Sequence, residues 1–417
     1  MKIGFAGMTH LGINTAVATA EKGWNVIGYD KNELLIKNLN HNKIPIKEPD
    51  LDYFSSKNSN KLTYTSNLDD LSKCNIIYIS NDVPTDDNAK SDLKPIKDLI
   101  NKIENIINKD TLLIILCQVP PGFCRSIKTI PENKIFYQVE TLIFGKAIDR
   151  ALNPERFIIG FADKNIKIPP LYEKLLLSFN CPIIKMSYES AELTKIAINF
   201  YLVSSVTTTN LLAEVSEKIG ADWFDIMPAL RMDKRIGQYS YITPGLGISG
   251  GNLERDLNTI LDIGDKTKIN CDVINSWKHN SSLRKKWCWN KLKENVLLNN
   301  KNPKIALLGL AYKENTHSIK NSPSLELLEE LKDKNVFTHD PVVEAEAVKH
   351  GTFCDKTSKC IENANVLIIS TPWPEYKEIN PLELKNKMNG NVIIDPFRLL
   401  NSKELIKLGF NYHTLGK

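Results

Sequence analysis

Lys2 to Asp30 is the segment that most constrains the fold. Lys2 to Ala6 reads as a short buried strand, and Gly7-Met8-Thr9-His10-Leu11-Gly12 turns into a helical stretch over 13–22. Trp24 to Tyr29 resumes strand character before Asp30. This is a βαβ unit with a phosphate turn. Its glycines allow a tight turn and close helix packing, while the helix amino terminus presents N–H groups and a positive dipole end to a pyrophosphate. Gly7, Thr9, His10, Leu11 and Gly12 are therefore candidate cofactor contacts. Asp30 lies 18 residues beyond Gly12, where an acid takes unphosphorylated ribose hydroxyls, which selects NAD over NADP. Thr9 occupies the middle glycine position of G-x-G-x-x-G, so its branched side chain should hold the pyrophosphate slightly further off. His10 is expected to contribute through its backbone. A purely structural glycine turn is the alternative.

The pattern then alternates: helix 33–38, strands 61–65 and 75–80, helix 93–108, and strands 111–117 and 134–137. Such alternation indicates a parallel, doubly wound sheet with its site at the strand carboxyl ends. Three loops there carry candidates: 81–85 with Thr85, 118–122 with Gln118, and 139–146 with Glu140. Simple turn chemistry explains each equally well.

From Tyr188 to Lys218 the chain has neither glycine nor proline and carries apolar residues at helical spacing, so one long helix is expected. At about 1.5 Å per residue it would span about 45 Å, enough to bridge two domains and pack on a partner chain. Lys195 and Asn199 share one face of it. Further on, Tyr241 to Asp256 holds four glycines within seven residues, which points to a closely approached loop. The stretch 257–299 looks helical, with Trp277, Trp287 and Trp289 serving core packing. A second α/β unit begins at Lys304, with a Ser322-Pro323 helix start and strands 336–338, 366–370 and 391–394.

A length of 417 residues implies two or three domains. The expected division is 1–187, 188–299 and 300–417: two Rossmann-like doubly wound α/β domains joined by a long central helix and a helical dimerisation region. A net charge of +5 is small for this length, with lysines interleaved among acids, so a solvated surface is favoured over nucleic-acid binding. The eight cysteines include no CxxC pair and no zinc spacing, which argues against disulfides and metal and for a reducing, cytoplasmic setting. The chain passes from Met1 straight into strand character with no leader-like segment, and no unbroken apolar run reaches about 18 residues. No membrane association is expected.

Taken in order, several motifs resemble the UDP-glucose/GDP-mannose dehydrogenase family over essentially the whole chain. They are G-M-T-H-L-G, Lys43-Ile-Pro45 with Glu48-Pro49, Val119-Pro-Pro-Gly122, Glu140 with Gly145-Lys-Ala147, Ala191-Glu-Leu-Thr-Lys195 with Asn199, and Arg235-Ile-Gly237. The P-G-x-G…G-G…D loop and Gly309-Leu-Ala-Tyr-Lys313…Ser322-Pro323-Ser324 complete the set. The resemblance implies a homodimer that binds NAD and a nucleotide sugar, with a carboxyl-terminal domain holding the sugar nucleotide. It further implies oxidation of a sugar hydroxymethyl to a carboxylate by two hydride transfers, with a cysteine thiolate capturing the aldehyde. Lys195, Asn199, Asp256 and Glu140 match the polar set that handles the alcohol proton and oxyanion.

The position of the nucleophile is Asn252, which cannot form a thiohemiacetal. Gln118 stands in place of a threonine, and Phe144 in place of a glutamate associated with thioester hydrolysis. Only Cys117 or Cys271 is conceivable as a substitute approaching in space. The substitutions point to NAD-linked oxidation of a nucleotide sugar, a UDP-hexose first, without covalent capture. Lys195 and Asp256 would serve as base, and Asn199 and Asn252 as hydrogen-bond donors. Substrate contacts carried over from the resemblance are Tyr241, Gly247, Gly250, Lys313, Arg398 and Arg235 of the partner subunit, with Lys320 facing the cofactor's phosphates. A non-catalytic nucleotide-sugar sensor or scaffold and an epimerase with transient NAD oxidation are the competing readings.

Overall fold

The computed structural model describes residues 1–86 and 90–417. It comprises two compact units, Met1–Ile198 and Asn199–Lys417.

The first unit is built on an eight-stranded sheet of β1 (Lys2–Ala6), β2 (Asn25–Tyr29), β3 (Leu62–Thr65), β4 (Ile76–Ile79), β5 (Leu112–Ile115), β6 (Ile135–Gln138), β7 (Phe157–Phe161) and β8 (Ile183–Ser187). The order is β3-β2-β1-β4-β5-β6-β7-β8. Strands β4 and β5, Ile-Ile-Tyr-Ile and Leu-Leu-Ile-Ile, are buried throughout. That continuous apolar character is what a strand covered by helices on both faces requires. Order reverses between β1 and β4, opening a crevice at their carboxyl ends where the glycine turn lies. The sheet is not wholly parallel as expected, because β7 runs antiparallel to β6. An antiparallel neighbour needs no full crossover, so the 18 residues between them suffice, including the short helix Ala147–Leu152.

The long helix runs from Tyr188 to Ile219, and the boundary between the units falls within it. Among the described residues it alone is long and apolar enough, by length and composition, to cross a membrane. The expectation from unbroken apolar runs missed this, because polar residues interrupt it. Those polar residues have partners inside the protein: Glu192, Lys195, Asn199 and Asn210 all bond within their own units.

In the second unit the glycine segment gives way to helices Asn252–Thr267, Asp272–Lys285 and Trp287–Leu292, then one π turn, Lys293–Leu297. The expected loop is therefore shorter: Asn252 and Asp256 sit on a helix. Trp277 packs edge-on against Phe200, and Trp287 is buried with its indole N–H on Glu217, a core role. A six-stranded parallel sheet follows: β9 (Lys304–Leu308), β10 (Asn335–His339), β11 (Thr352–Phe353), β12 (Val366–Ile369), β13 (Val392–Ile394) and β14 (Asn411–His413), ordered β11-β10-β9-β12-β13-β14. The edge strands β11 and β14, two and three residues long, went unseen in the sequence pattern.

Candidate active site

The glycine turn after β1 is shaped by two positions that tolerate no side chain. Gly7 has φ +107°, and a Cβ there would lie 2.4 Å from the Asn81 side chain. A Cβ on Gly12 would lie 1.9 Å from the Gly7 carbonyl oxygen. The helix His10–Glu21 begins directly beyond, and Thr9 does not cap it with its side chain. Asp30, at the end of β2, accepts the Met8 amide on one oxygen (2.9 Å) and the Asn32 amide on the other (3.0 Å). It thus braces the turn while its oxygens keep further lone pairs for ribose hydroxyls. This bare cradle, helix start and strand-end acid fit a dinucleotide.

Both polar side chains of the turn have partners. The Thr9 hydroxyl donates to the Ser80 carbonyl (3.1 Å) and accepts the Asp82 amide (3.1 Å), which ties the side chain to the β4 loop. His10 engages through its ring, not only its backbone: Nε2 lies 2.7 Å from Glu48 Oε1, and the ring packs on Phe144 at 4.1 Å. Leu11 is buried, leaving only its backbone for a ligand. Gln118 is half-buried three residues past β5, and Thr85 bridges to Ser91.

At the loop after β6, one Glu140 oxygen accepts the Leu142 amide and the other lies 3.0 Å from Lys195 Nζ. Both side chains are largely shielded. One helical turn further, in the second unit, the Asn199 amide donates to Asp256 Oδ2 at 2.5 Å, and Arg255 Nε approaches Oδ1 at 3.4 Å. Asp256 is 1% exposed. Asn252, one turn before Asp256 on the same helix, is exposed.

The glycine segment of this unit is a wall pressed against neighbours. Gly247 (φ +82°) would place a Cβ 2.7 Å from the Ser281 carbonyl oxygen, and Gly250 (φ +77°) one at 3.0 Å from the Tyr312 ring. The Gly250 amide donates to the Lys320 carbonyl (3.1 Å), and its own carbonyl accepts from Asn321 (3.0 Å). Lys320 therefore lies along the glycine wall, within 3.2 Å of where a Gly251 Cβ would be. Lys313 Nζ sits 5.8 Å from the centre of the Tyr312 ring, and Tyr241 is exposed. Arg235 is mostly exposed, forking onto Asp233.

The Arg398 guanidinium forks onto Asp222 at 2.7 and 3.1 Å and stacks on Phe224. The possible substitute thiols are badly placed. Cys271 Sγ packs where a Gly264 Cβ would be, 12 residues along the helix from Asn252, about 18 Å at 1.5 Å per residue. Cys117 is wholly buried in the first unit's core.

Sequence reasoning assigned no role to Glu48 or Glu192. Glu192 is fully buried and accepts the amides of Gly122 (2.5 Å) and Cys124 (2.8 Å) at the start of helix Phe123–Ser126. Burial pushes its carboxyl up. The available signal was a carboxylate set among apolar residues of a helical stretch.

Known proteins bear directly on this arrangement. The UDP-glucose/GDP-mannose dehydrogenase family matches in three parts: its NAD binding domain at residues 1–176, its central domain at 189–281 and its UDP binding domain at 306–402. The chain is 28% identical over 439 residues to a UDP-glucose 6-dehydrogenase of Rickettsia typhi (strain ATCC VR-144 / Wilmington), covering 100% of this chain and 99% of the relative. It is also 28% identical to UDP-glucose 6-dehydrogenase TuaD of Bacillus subtilis (strain 168), over 100% of this chain and 93% of that one. Among solved structures it resembles a UDP-D-ManNAc dehydrogenase of Pyrococcus horikoshii, with TM-score 0.86, 25% identity and coverage of 100% and 99%. A UDP-glucose dehydrogenase of Pyrobaculum islandicum shares the fold, with TM-score 0.85, 22% identity and coverage of 97% and 95%. With all three parts present in order, the chain belongs to the UDP-glucose/GDP-mannose dehydrogenase family.

Proposed function

We propose that the protein is an NAD-dependent dehydrogenase of a UDP-activated hexose that oxidises a sugar hydroxyl without covalent capture of the product. The observation that carries this reading is the polar set on the long helix: Lys195 paired with Glu140, and Asn199 one turn later bonded to buried Asp256, with an amide at position 252. Gly7, Gly12, Asp30 and the amides opening helix His10–Glu21 would hold NAD, which when bound supplies the hydride acceptor. Lys195 and Asp256 would take the hydroxyl proton, directly or through one water, as general bases. Glu140 would hold Lys195 in place. Asn199 and Asn252 would donate to the developing alkoxide or carbonyl oxygen, stabilising charge where it forms. Retention of this set favours an enzyme over a pure binder.

No side chain at 252 can form a thiohemiacetal, so the first oxidation releases an aldehyde or ketone and one NADH is expected per sugar. Lys313, Arg398, Tyr241, Gly247 and Gly250 are proposed to line the sugar-nucleotide site, with Arg235 of the partner subunit in a homodimer, and Lys320 is proposed for the cofactor's phosphates. The setting is proposed to be cytoplasmic, away from membrane and nucleic acid, with the chain divided at 1–187, 188–299 and 300–417.

A panel of UDP-, GDP- and CDP-sugars, followed by NADH absorbance and by product analysis, tests the proposal. Turnover with a UDP-hexose at one NADH per sugar supports it. Tight calorimetric binding of NADH and a UDP-sugar with no turnover across the panel overturns it in favour of a sensor. Sugar interconversion by NMR without net NADH would show an epimerase.

A further inference from the structure

We infer that Glu48 is a positioning residue for the Glu140–Lys195 pair, acting through the loop 140–147 and the ring of His10. The inference rests on the proposed use of Glu140 and Lys195 in the oxidation.

Glu48 lies between helices Glu33–Asn40 and Leu51–Lys57, far along the chain from everything it holds. Its carboxylate is fully shielded. One oxygen accepts His10 Nε2 at 2.7 Å and the Gly145 amide at 2.9 Å, and the other accepts the Ala147 amide at 3.0 Å. The His10 ring packs on Phe144 at 4.1 Å with 30° between planes. Contacts at 144, 145 and 147, the first to His10 and the other two to Glu48, therefore clasp the end of the loop to the first residue of the dinucleotide helix. The beginning of that loop is Glu140, held by the Leu142 amide and by Lys195.

The geometry demands a carboxylate. Three donors converge on two oxygens, and an ionised acceptor makes short, strong hydrogen bonds with each. Burial alone would raise this carboxyl, but the His10 ring and the Gly145 and Ala147 amides outweigh it and hold it below the ordinary glutamate value. A glutamine would offer one oxygen and turn an NH2 group toward N–H donors. Phe144 is the packing face for His10. The clasp thus fixes the loop through a ring contact and one buried charge, and it sets how far Glu140 stands from the turn that takes the cofactor. Small misplacements of such groups are costly: about 1 Å removes about 100-fold in rate.

Full-length Glu48→Gln and His10→Phe are the test variants, the second keeping a ring against Phe144 while removing the donor. Glu48→Gln is expected to lower kcat about 10–100-fold, while the NADH dissociation constant, read by fluorescence titration, moves less than about threefold. His10→Phe should show the same split with a smaller loss, which serves if Glu48→Gln does not fold. Combined with Glu140→Gln, Glu48→Gln should add little, because both disable one device and coupled residues are non-additive. Losses that multiply, or an unchanged kcat, overturn the inference.

Two readouts need no turnover. Amide hydrogen exchange over 141–147 should quicken in Glu48→Gln, and modification of Lys195 by an amine reagent, quantified by mass spectrometry, should quicken as it does in Glu140→Gln. If the wild-type chain turns over no sugar nucleotide, the dehydrogenase reading falls while these readouts still decide the clasp. Lys195 modification rising in Glu140→Gln but not in Glu48→Gln would overturn it.

Discussion

On the proposed reading, position 252 decides where the reaction stops. An amide can hydrogen-bond an oxygen but cannot add to a carbonyl, so an aldehyde formed in this site has no covalent route to an acid. In Asn252→Cys the introduced thiolate can add to the aldehyde carbon, and loss of hydride from that adduct to a second NAD gives a thioester, NADH and a proton. Asn252→Cys is therefore expected to yield a second NADH per sugar and an acyl adduct on residue 252 detectable by mass spectrometry. Hydrolysis of the adduct should be slow, since Phe144 supplies no carboxylate. A stoichiometry that stays at one NADH, with no adduct, would sink the explanation. The exposure of Asn252 at the first position of its helix is what makes the substitution informative: the new side chain disturbs no packed neighbour.

Much of the local framework was legible because it depends on spacing. The βαβ turn, the long helix and the Lys195/Asn199 pair all follow from periodicity and glycine placement. The Glu48 contacts do not: its partners His10 and Gly145 lie 38 and 97 residues away, and no short-range pattern encodes such a meeting. Likewise the pairing of Arg398 with Asp222 joins residues 176 apart, beyond any short-range pattern. The antiparallel β7 and the brief edge strands β11 and β14 escaped because pairing with a neighbour, not intrinsic pattern, makes them strands. The start of helix Asn252–Thr267 was hidden by the glycines immediately before it.

Two expectations concern these elements directly. In Gly12→Ala the new methyl would meet the Gly7 carbonyl oxygen at 1.9 Å, so the first helix must shift off β1. Overpacking of this kind costs about 1–3 kcal/mol, measurable by denaturant unfolding, and NADH affinity should fall with it. Unchanged stability and affinity would show that the turn is looser than it looks. The Glu48 clasp carries a pH signature as well. Because its folded-state carboxyl is held below the ordinary value of about 4.3, its stabilisation is present above that value and is lost as pH falls through the lowered one. Wild type should therefore melt above Glu48→Gln at neutral pH, and the gap should close in acid. A gap that persists after the carboxyl is protonated would mean that shape, not charge, holds the loop.

The assembled molecule is expected to be a homodimer, and the surface of the long helix is the reason. Leu211, Leu212, Val215 and Ile219 are 43–72% exposed at helical spacing, and Met232 and Tyr239, further along the chain, are more exposed still. An exposed apolar stripe of this kind marks an interaction site. Sedimentation should give twice the 47.2 kDa chain mass, and Leu211→Glu with Val215→Glu should give the monomer. The stronger test uses two inactive variants. If Arg235 completes the site of the other chain, a mixed dimer of Lys195→Ala and Arg235→Ala chains regains one sound site. That site combines the lysine of one protomer with the arginine of its partner. Random re-association of equal amounts makes half the dimers mixed, each with one of two sites working, so about a quarter of wild-type turnover should return. If Arg235 serves its own chain, every site in the mixture lacks one of the two residues, and the activity stays at the level of the separate variants.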